Sequence, residues 1–491
     1  MELRNGAKGI DKIFKTLIAH VPPALNFLSL STDYRSTLPP AFATLLHACP
    51  ALTKLRLGSA WTIEDTSVKQ ITSSLSNMTS LRKLSLEYVG MSEKTFVEIF
   101  QTLAASGTEL TTLELTSLRL SENSSQAISS VMIAHPNFNT LTLIDTQLSR
   151  KQTAALFCGA LLAPSLSTLH LRGSYETRLN KHTAAALSLL LSTTSSLTSL
   201  ELPRMETEAM LALMEGLKNN STLSQLQLSF VECNDAVSLE QRASAIGEVI
   251  ERNTAITDLA LIHFSARQHW STIADALIAN PTTLGALRIT ETAETPMGDE
   301  GAIELARALT THRSLCHLDL ESVSFEEEGY CAIARSLHDN ITLSYLLLPQ
   351  SIHSQRVINE LSLMLEKNQS IETLRLQKNY DAPEQPLDLE PLERALKINS
   401  TLKDLTISIP STPEGITRFV QSIQTNTSLT NLFRETVFIY NANVDDWAAA
   451  EVSTVPETAR ESLETLLANN LLRQMTLFGI LYSHLIPADS E

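Results

Sequence analysis

Aromatic residues, glycine and positive charge are all scarce in this 491-residue chain. Aromatic residues make up 5% of the sequence although 43% of it is hydrophobic, so a core must be filled mainly by aliphatic side chains, chiefly leucine. With only 15 glycines, the turns of the chain must be satisfied largely by other residues. The 37 Lys and Arg residues are outnumbered by 54 Asp and Glu residues, and the formal charge of −17 disfavours nucleic acid as a partner.

Cysteine and long apolar runs are sparse as well. The five cysteines are odd in number and have no paired spacing, which is typical of reduced thiols in a cytoplasmic environment. The first 20 residues lack the uninterrupted apolar stretch of a signal peptide. The most apolar late segment, residues 474–486, is too short to span a bilayer. We therefore expect a cytoplasmic protein without a membrane span.

The usual signs of catalytic and metal sites are missing. No Gly-x-x-x-x-Gly-Lys loop, Gly-x-Ser-x-Gly elbow or Gly-x-Gly-x-x-Gly loop occurs. His312, Cys316 and His317 lie close in sequence, but neighbouring strand residues point to opposite faces, so Cys316 and His317 cannot easily share a zinc ion, and a fourth ligand is missing. We expect no catalytic residue, no metal and no cofactor, and therefore not an enzyme.

What the sequence does contain is a long internal repeat. The pattern Leu-x-x-Leu-x-Leu, with Ile or Phe allowed, recurs at spacings of 26 to 33 residues, which chance does not produce. Its copies begin at Leu25, Leu52, Leu81, Leu110, Phe138, Leu166, Leu197, Leu223, Ile256, Leu284, Leu315, Leu343, Ile371 and Leu402. A degraded copy at Leu429 has Arg434 at its third position.

Each copy predicts a strand followed by a turn and a helix. The last two leucines of the pattern are two residues apart, so both point to the same face of a short strand. The following stretch has helical apolar spacing, as in residues 301–309, where Ile303, Leu305, Ala306 and Leu309 are predicted to share a buried face. Such a unit buries its apolar surface only by stacking on its neighbours in parallel.

Asparagine recurs three residues before the first apolar residue of a repeat. It does so at Asn220, Asn253, Asn340, Asn368, Asn399 and Asn426, and histidine takes the same place at His135 and His312. Because asparagine tolerates the left-handed conformation, we expect these residues to end each helix in that conformation. The two histidines are then structural and not functional.

The repeat resembles the ribonuclease-inhibitor-like class of leucine-rich repeats, most clearly in MGDEGAIELARALTTHRSLCHLDLESV (297–323). The resemblance implies an α/β right-handed solenoid, or horseshoe, with a parallel sheet on the concave face and helices on the convex face. It also implies a scaffold that binds a protein on its concave face or rim. A GTPase activator or an inhibitor of the same repeat class is an alternative, and the activator would need one arginine or a positioning side chain at the rim of the array, for which Arg172 or Arg288 could serve.

The sequence departs from that class in its turns. The family often places Asn or Cys three residues after the third leucine, and here only Asn379 matches. Loose, Ser/Thr-rich repeats of this kind are similar to leucine-rich-repeat effectors that bacteria inject into host cells, which implies virulence, secretion without a cleaved signal peptide and a host protein as partner. Cys233-Asn234-Asp235 resembles an element of ubiquitin-ligase effectors, a further alternative, but lies inside the repeats and not in a domain after them.

The repeats divide the chain into three parts. Residues 25–434 form the solenoid of about 14 to 15 repeats. Residues 1–24 are predicted to form an N-terminal helical cap, since residues 7–20 carry a helical apolar stripe. Residues 435–491 are predicted to form a C-terminal helical cap or tail, with two helices between Glu457 and Ile486.

The strand positions between the leucines form one exposed surface, and the preferred contact site lies late in the array. It combines acidic groups with an aromatic and an aliphatic side chain facing outward, the kind of anchors that supply interface energy. The predicted partner-binding residues are His317, Asp319, Glu321, Tyr345, Leu347 and Arg375.

Overall fold

The computed structural model describes residues 2–5, 10–20, 22, 24–32, 35–58, 60–173, 177–233, 235–291, 296–349, 354–376, 387–406, 418–419, 421–422, 426–434, 438–441, 446–449, 474–477 and 480–481. They fall into two compact units. Unit 1 is Met1–Val231 with Asn253–Ile256, and unit 2 is Glu232–Arg252 with Thr257–Glu491. None of the described helices combines the length and apolar character needed to cross a bilayer. All five cysteines are free.

Unit 1 alternates short strands with helices. In chain order its elements are β1 (Glu2–Asn5), α1 (Ile10–His20), β2 (Phe27–Thr32), β3 (Ser36–Thr37), α2 (Ala41–His47), β4 (Lys54–Gly58), β5 (Trp61–Ile63), α3 (Val68–Ser76), β6 (Lys83–Glu87), β7 (Gly90–Met91), α4 (Glu93–Ala105), β8 (Thr112–Thr116), α5 (Glu122–Ala134), β9 (Thr140–Ile144), α6 (Arg150–Leu162), β10 (Thr168–Arg172), β11 (Arg178–Leu179), α7 (Lys181–Thr193), β12 (Ser199–Met205), α8 (Thr207–Leu217) and β13 (Gln225–Phe230).

Unit 2 continues the same alternation. Its elements are α9 (Ala236–Arg252), β14 (Asp258–Ile262), a 3-10 turn (Arg267–His269), α10 (Trp270–Ala279), β15 (Ala286–Thr290), α11 (Gly298–Leu309), β16 (His317–Ser322), α12 (Glu327–Ser336), β17 (Tyr345–Leu348), α13 (Gln355–Lys367), β18 (Thr373–Leu376), α14 (Glu390–Ile398), β19 (Asp404–Thr406), β20 (Asn431–Arg434), β21 (Phe438–Asn441), β22 (Asp446–Ala449), β23 (Gln474–Leu477) and β24 (Ile480–Leu481).

The strands of successive repeats lie side by side in parallel, as the repeat predicts. In unit 1 the order is β1, β2, β4, β6, β8, β9, β10, β12 and β13. In unit 2 it is β14 to β20 and then β23. Within each unit the second leucine of a copy pairs with its equivalent in the next, as Leu346 pairs with Leu318 and Leu374. The α/β class and the parallel strand–helix repeat are therefore confirmed.

The helices pack on one side of these strands. Each helix buries the apolar side chains that helical spacing places along one of its faces. In α11 the buried residues include Ala302, Leu305, Ala306 and Leu309, which follow the i, i+3, i+4, i+7 spacing. The prediction that Ile303 belongs to this face is wrong, because its side chain is 46% exposed. One position along a helix turns the side chain by about 100°, which is enough to move it from the core to solvent.

The two ends of the chain contain strands that the repeat pattern did not predict. At the N-terminus α1 confirms the predicted helix, but β1 precedes it and pairs with β2, so that Leu3 lies beside Leu30. At the other end β23 pairs with β20, and Met475 lies beside Leu432. Residues 472–477 read Leu-x-x-Met-x-Leu, a further copy in which methionine replaces leucine. Helix is thus wrong for residues 474–477 and 480–481, and residues 450–473 lie outside the described residues.

The recurrent asparagines act through their side chains and not through a left-handed backbone. Asn368 and Asn399 have φ values of −73° and −66°, and none of the six has positive φ. In each, Oδ1 accepts the amide N–H groups two and three residues later, while Nδ2 donates to a backbone carbonyl of the preceding repeat. The prediction about their backbone is therefore wrong, although their place between repeats is right.

The two histidines in this position are structural, as expected. In His312 Nδ1 accepts the amide N–H of Leu315 at 3.1 Å, as the asparagine Oδ1 does elsewhere. His135 lies with Nε2 3.0 Å from the carbonyl of Leu103, in the preceding repeat. Both are buried. The left-handed conformation occurs instead at the ends of strands, at Ala60, Tyr88, Ser117, Asp145 and His263.

Candidate functional site

The six predicted contact residues lie on β16, β17 and β18, three neighbouring strands of unit 2. We call them the 317–375 surface. Strand pairing places His317 beside Tyr345 and Asp319 beside Leu347, which in turn lies beside Arg375. These five side chains share one face because residues two apart on a strand point to the same side. Glu321 lies two residues beyond Asp319 and is exposed.

An aromatic pair is the most ordered feature of this surface. The rings of His317 and Tyr345 stack with centroids 3.9 Å apart and an interplanar angle of 10°. The guanidinium carbon of Arg375 lies 5.9 Å from the Tyr345 ring centroid, within cation–π range. Burial lowers the pKa of His317, and the opposing effect of the Asp319 carboxylate is smaller. The imidazole is therefore neutral at pH 7. The two stacked rings form a flat, uncharged surface beside the Arg375 guanidinium.

Asp319 is held from two sides. Its Oδ2 accepts Arg288 Nε at 2.8 Å, and its Oδ1 accepts the backbone N–H of Glu321 at 3.1 Å. The residue is only 8% exposed, so its charge is largely removed from solvent. Both carboxylate oxygens of Asp319 are therefore engaged. Its role is to position Arg288 and the end of β16, and not to accept a hydrogen bond from a ligand.

The next ion pair along the sheet is incompletely satisfied. Arg375 Nη2 donates to Asp404 Oδ2 at 3.2 Å. Within the described part of the chain, Arg375 Nε and Asp404 Oδ1 are buried and have no hydrogen-bond partner. A buried polar atom without a partner carries a free-energy cost of about 1–3 kcal/mol. The Arg375 side chain as a whole is 43% exposed, so the rest of its guanidinium can still contact a partner.

Leu347 lies on the outer face of the sheet but is only 8% exposed. The sequence predicts its direction correctly through strand alternation, whereas its burial depends on the side chains of the adjoining repeats. Tyr345 is half-buried and offers more contact area than Leu347. The aromatic pair, and not the leucine, is thus the apolar part of the 317–375 surface that a partner can cover.

A second polar cluster lies on the sheet of unit 1, and of its residues the sequence points only to Arg172. Glu201 is 5% exposed and accepts both Arg172 Nε at 2.7 Å and Arg172 Nη2 at 3.1 Å. Gln227 donates to the same carboxylate, while His170 Nε2 lies 2.8 Å from Ser199 Oγ. The signal that could have found it is the recurrence of polar residues at equivalent positions of β10, β12 and β13.

The order Ser199, His170, Glu201 suggests a hydrolase triad, but the geometry does not form one. His170 Nδ1 lies 4.0 Å from Glu201 Oε2, too far for the hydrogen bond that orients a catalytic imidazole. Both Glu201 oxygens are already engaged by Arg172 and Gln227. The Ser199 amide donates to Ser167 O in the sheet ladder, so it cannot stabilise an oxyanion. The cluster is a satisfied polar network.

The alternatives raised by the sequence find little support in these side chains. Arg172 and Arg288 each form an ion pair, so neither guanidinium is free for phosphoryl transfer. Cys316 Sγ lies 3.2 Å from Gly285 O, and the described residues contain no cluster of His, Cys, Asp and Glu suited to a metal ion. Cys233 is half-buried before α9, and Asn234 lies outside the described residues.

Comparison with known proteins yields similarities among solved structures. No protein-family model matches the chain, and no curated protein matches it. Among solved structures, the chain is similar to one from the "Crystal structure of Rad7 and Elc1 complex in yeast", with 14% sequence identity and a TM-score of 0.39. The similarity covers 82% of this chain and 80% of that chain. The fold assignment rests on the strands and helices described above and not on this likeness.

Proposed function

We propose that this chain is a non-enzymatic scaffold that binds a protein partner through the 317–375 surface. The observation that carries the proposal is the stacked pair of His317 and Tyr345 beside Arg375. Aromatic residues and arginine are the types that dominate binding energy when an interface covers them. Arg375 donates one hydrogen bond to Asp404 while its side chain is 43% exposed, so it adds a cationic group that a partner can contact.

The charge of the surface limits the kind of partner. Glu321 carries an exposed negative charge, and the whole chain has a formal charge of −17, so long-range attraction favours a basic protein. The arginines of this region are paired with aspartates, which reduces their attraction for a polyanion. A basic protein with an exposed apolar side chain to lie on Tyr345 fits both features.

The resemblance of the Ser/Thr-rich repeats to bacterial effectors makes a host-cell protein the first class of partner to test. Full-length chain is used as bait in host-cell lysate, and proteins recovered reproducibly are identified by mass spectrometry and purified. Their affinities are then measured by calorimetry for the wild-type chain and for Tyr345→Ala.

We expect Tyr345→Ala to weaken binding at least about tenfold, since an anchor of this type contributes about 2 kcal/mol or more. The matched control is Gln225→Ala, because Gln225 occupies the equivalent position of its repeat in unit 1. Thermal unfolding of both variants verifies that they fold. Equal affinities for wild type and a folded Tyr345→Ala chain would remove this surface from the proposal.

A further inference from the structure

A cavity of about 920 Å³ opens at the ends of the strands in unit 1, away from the sheet surface of that unit. Its walls come from four successive repeats, with Arg35, Ala60, Tyr88 and Ser117 contributed in turn. The loops are tied together by backbone bonds, as Ser36 N donates to Ala60 O at 3.0 Å and Tyr88 N to Thr116 O at 3.0 Å. Residues of β7 line the cavity, and β7 pairs with β5, which pairs with β3 in a short sheet. The cavity is therefore a built part of the fold.

Tyr88 lies in the middle of the cavity in an unfavourable backbone conformation. Its φ is 54°, a left-handed value that a bulky side chain adopts only at a cost, and its side chain is 54% exposed. Glycine would satisfy this turn with less strain. Since the exposed ring contributes little to the core, folding alone does not explain an aromatic residue here. An exposed ring held over a cavity is suited to contact with a ligand.

Two arginines flank that ring. Arg35 and Arg119 both line the cavity, both are exposed, and neither has an ion pair or hydrogen bond within the described residues. The cavity also contains Glu93, whose Oε1 accepts Ser121 Oγ at 2.6 Å and Asn123 Nδ2 at 2.8 Å. These neutral donors satisfy the carboxylate without using either arginine. Two cations are thus left for a ligand in a protein whose overall charge is negative.

The spacing of the arginines indicates the shape of the ligand. Arg35 and Arg119 lie on the first and fourth of the contributing repeats, so three strand spacings of about 4.8 Å separate their backbones by about 14 Å across the strands, and Arg119 lies two residues further along its loop than the position equivalent to Arg35. An extended peptide advances about 3.3 Å per residue, so acidic residues four positions apart match this span. A single-stranded nucleic acid would bring more negative charge near the Glu93 carboxylate, which also lines the cavity, than a peptide with two acidic residues.

The geometry points to a binding site for an extended acidic peptide at this cavity, with carboxylates on Arg35 and Arg119 and an apolar side chain on Tyr88. This site is separate from the 317–375 surface and does not depend on it. The two sites bind different classes of ligand. The cavity selects a negatively charged peptide, whereas the 317–375 surface favours a basic protein.

The test uses the full chain and a fluorescein-labelled peptide, Glu-Ala-Leu-Ala-Glu, with blocked ends. Fluorescence anisotropy is compared with Lys-Ala-Leu-Ala-Lys, Glu-Ala-Ser-Ala-Glu and a single-stranded thymidine hexamer. We expect the Glu/Leu peptide to bind most tightly and its affinity to fall as salt is raised, since the contacts are charged. The Arg35→Gln and Arg119→Gln double variant is expected to lose at least about tenfold in affinity, because charge-assisted bonds to both carboxylates are removed.

A pair of glycine variants separates binding from folding. Tyr88→Gly and Ala60→Gly both relieve a left-handed residue, so both are expected to raise or preserve the melting temperature. Only Tyr88→Gly is expected to weaken peptide binding, by about tenfold, because Ala60 offers no comparable side chain. Binding that is unaffected by Tyr88→Gly or by the double arginine variant overturns the proposal, and so does tighter binding of the Lys peptide or of the oligonucleotide.

Discussion

The asparagine at the start of each later repeat should be among the most sensitive positions of the chain, and Asn368 is the sharpest test. It is 2% exposed. Its Oδ1 accepts the amide N–H groups of Ser370 at 2.9 Å and Ile371 at 2.8 Å, and its Nδ2 donates to Leu337 O at 2.7 Å and Asn340 O at 2.8 Å. One side chain thus joins three repeats and satisfies four backbone groups.

The loss of stability in Asn368→Ala depends on which of the four backbone groups still have a hydrogen-bond partner. Asn340 O still accepts Ser370 Oγ at 3.0 Å, and Leu337 O still accepts Asn340 N at 3.3 Å. The amide groups of Ser370 and Ile371 lose their acceptor in a buried site, at about 1–3 kcal/mol each. We therefore expect the free energy of unfolding to fall by about 4 kcal/mol, measured by urea denaturation followed by circular dichroism.

A matched control and a local probe make this prediction specific. Asn359→Ala lies on the preceding helix α13, where Asn359 is exposed and accepts only Gln355 Nε2 at 3.2 Å, so a change below about 0.5 kcal/mol is expected. Hydrogen exchange at the amides of Ser370 and Ile371 should accelerate in Asn368→Ala and not in the control. A loss no larger than that of the control, or unchanged exchange at these two amides, would refute the reasoning.

Two further predictions concern a buried histidine and a close helix contact. Burial, and next the charge of Arg313, lower the pKa of His312 to about 4. Its folded pKa lies below the unfolded value of about 6.5, so its neutral form stabilises the fold fully above pH 6.5 and about 3 kcal/mol is lost as the pH falls to about 4. In His312→Asn the urea midpoint of unfolding should therefore change less between pH 6.5 and pH 4 than in the wild type. An equal change in both proteins would contradict the assignment of this pH dependence to His312. In Gly216→Ala the new Cβ would lie 2.7 Å from Ser188 O and 2.8 Å from Ser188 Cα, so we expect a loss of about 2–3 kcal/mol by thermal unfolding, whereas Gly107→Ala, which meets only one atom at 4.0 Å, should change little.

The strand positions were predictable because two periodicities in the sequence agree. A period of two within each copy fixes which side chains are buried, and a period of about 28 residues fixes which strands are neighbours. Together they predict pairs such as Leu318 with Leu346, which the structure has. The copy at Met475 and the strand around Leu3 escaped because the pattern admitted only Leu, Ile and Phe and required three apolar positions.

The role of the asparagines could not be read from their identity. Asparagine is compatible both with a left-handed backbone and with side-chain capping of nearby amides, and both place it at the end of a helix. The structure distinguishes these two roles, because Asn368 has a negative φ and its side chain donates to a carbonyl of the preceding repeat. The occurrence of His312 at the same position was the better clue, because a ring nitrogen can replace Oδ1 as an acceptor.

The sequence predicts which face of the sheet the candidate site residues lie on, but not how deeply each side chain is buried. Strand alternation places His317, Tyr345, Leu347 and Arg375 on one face, yet it contains no information on how far adjoining repeats cover each side chain. That cover depends on lateral pairing, which buries Leu347 and draws the rings of His317 and Tyr345 together. The stacking required the register of two repeats and could not be derived from either one.

Charge pairing across the repeats decides what the sheet can still offer a partner. Where a carboxylate has both oxygens engaged, as in Glu201, a ligand would have to displace existing bonds and would gain little net free energy. Where a pair is joined by a single bond, as between Arg375 Nη2 and Asp404 Oδ2, a ligand could bond the exposed part of the guanidinium without breaking that bond. Recognition should therefore concentrate where the lateral pairing is incomplete and an aromatic ring is only half covered. Among the sheet residues singled out by the sequence, the 317–375 surface has both properties, and this favours it over the polar cluster around Glu201.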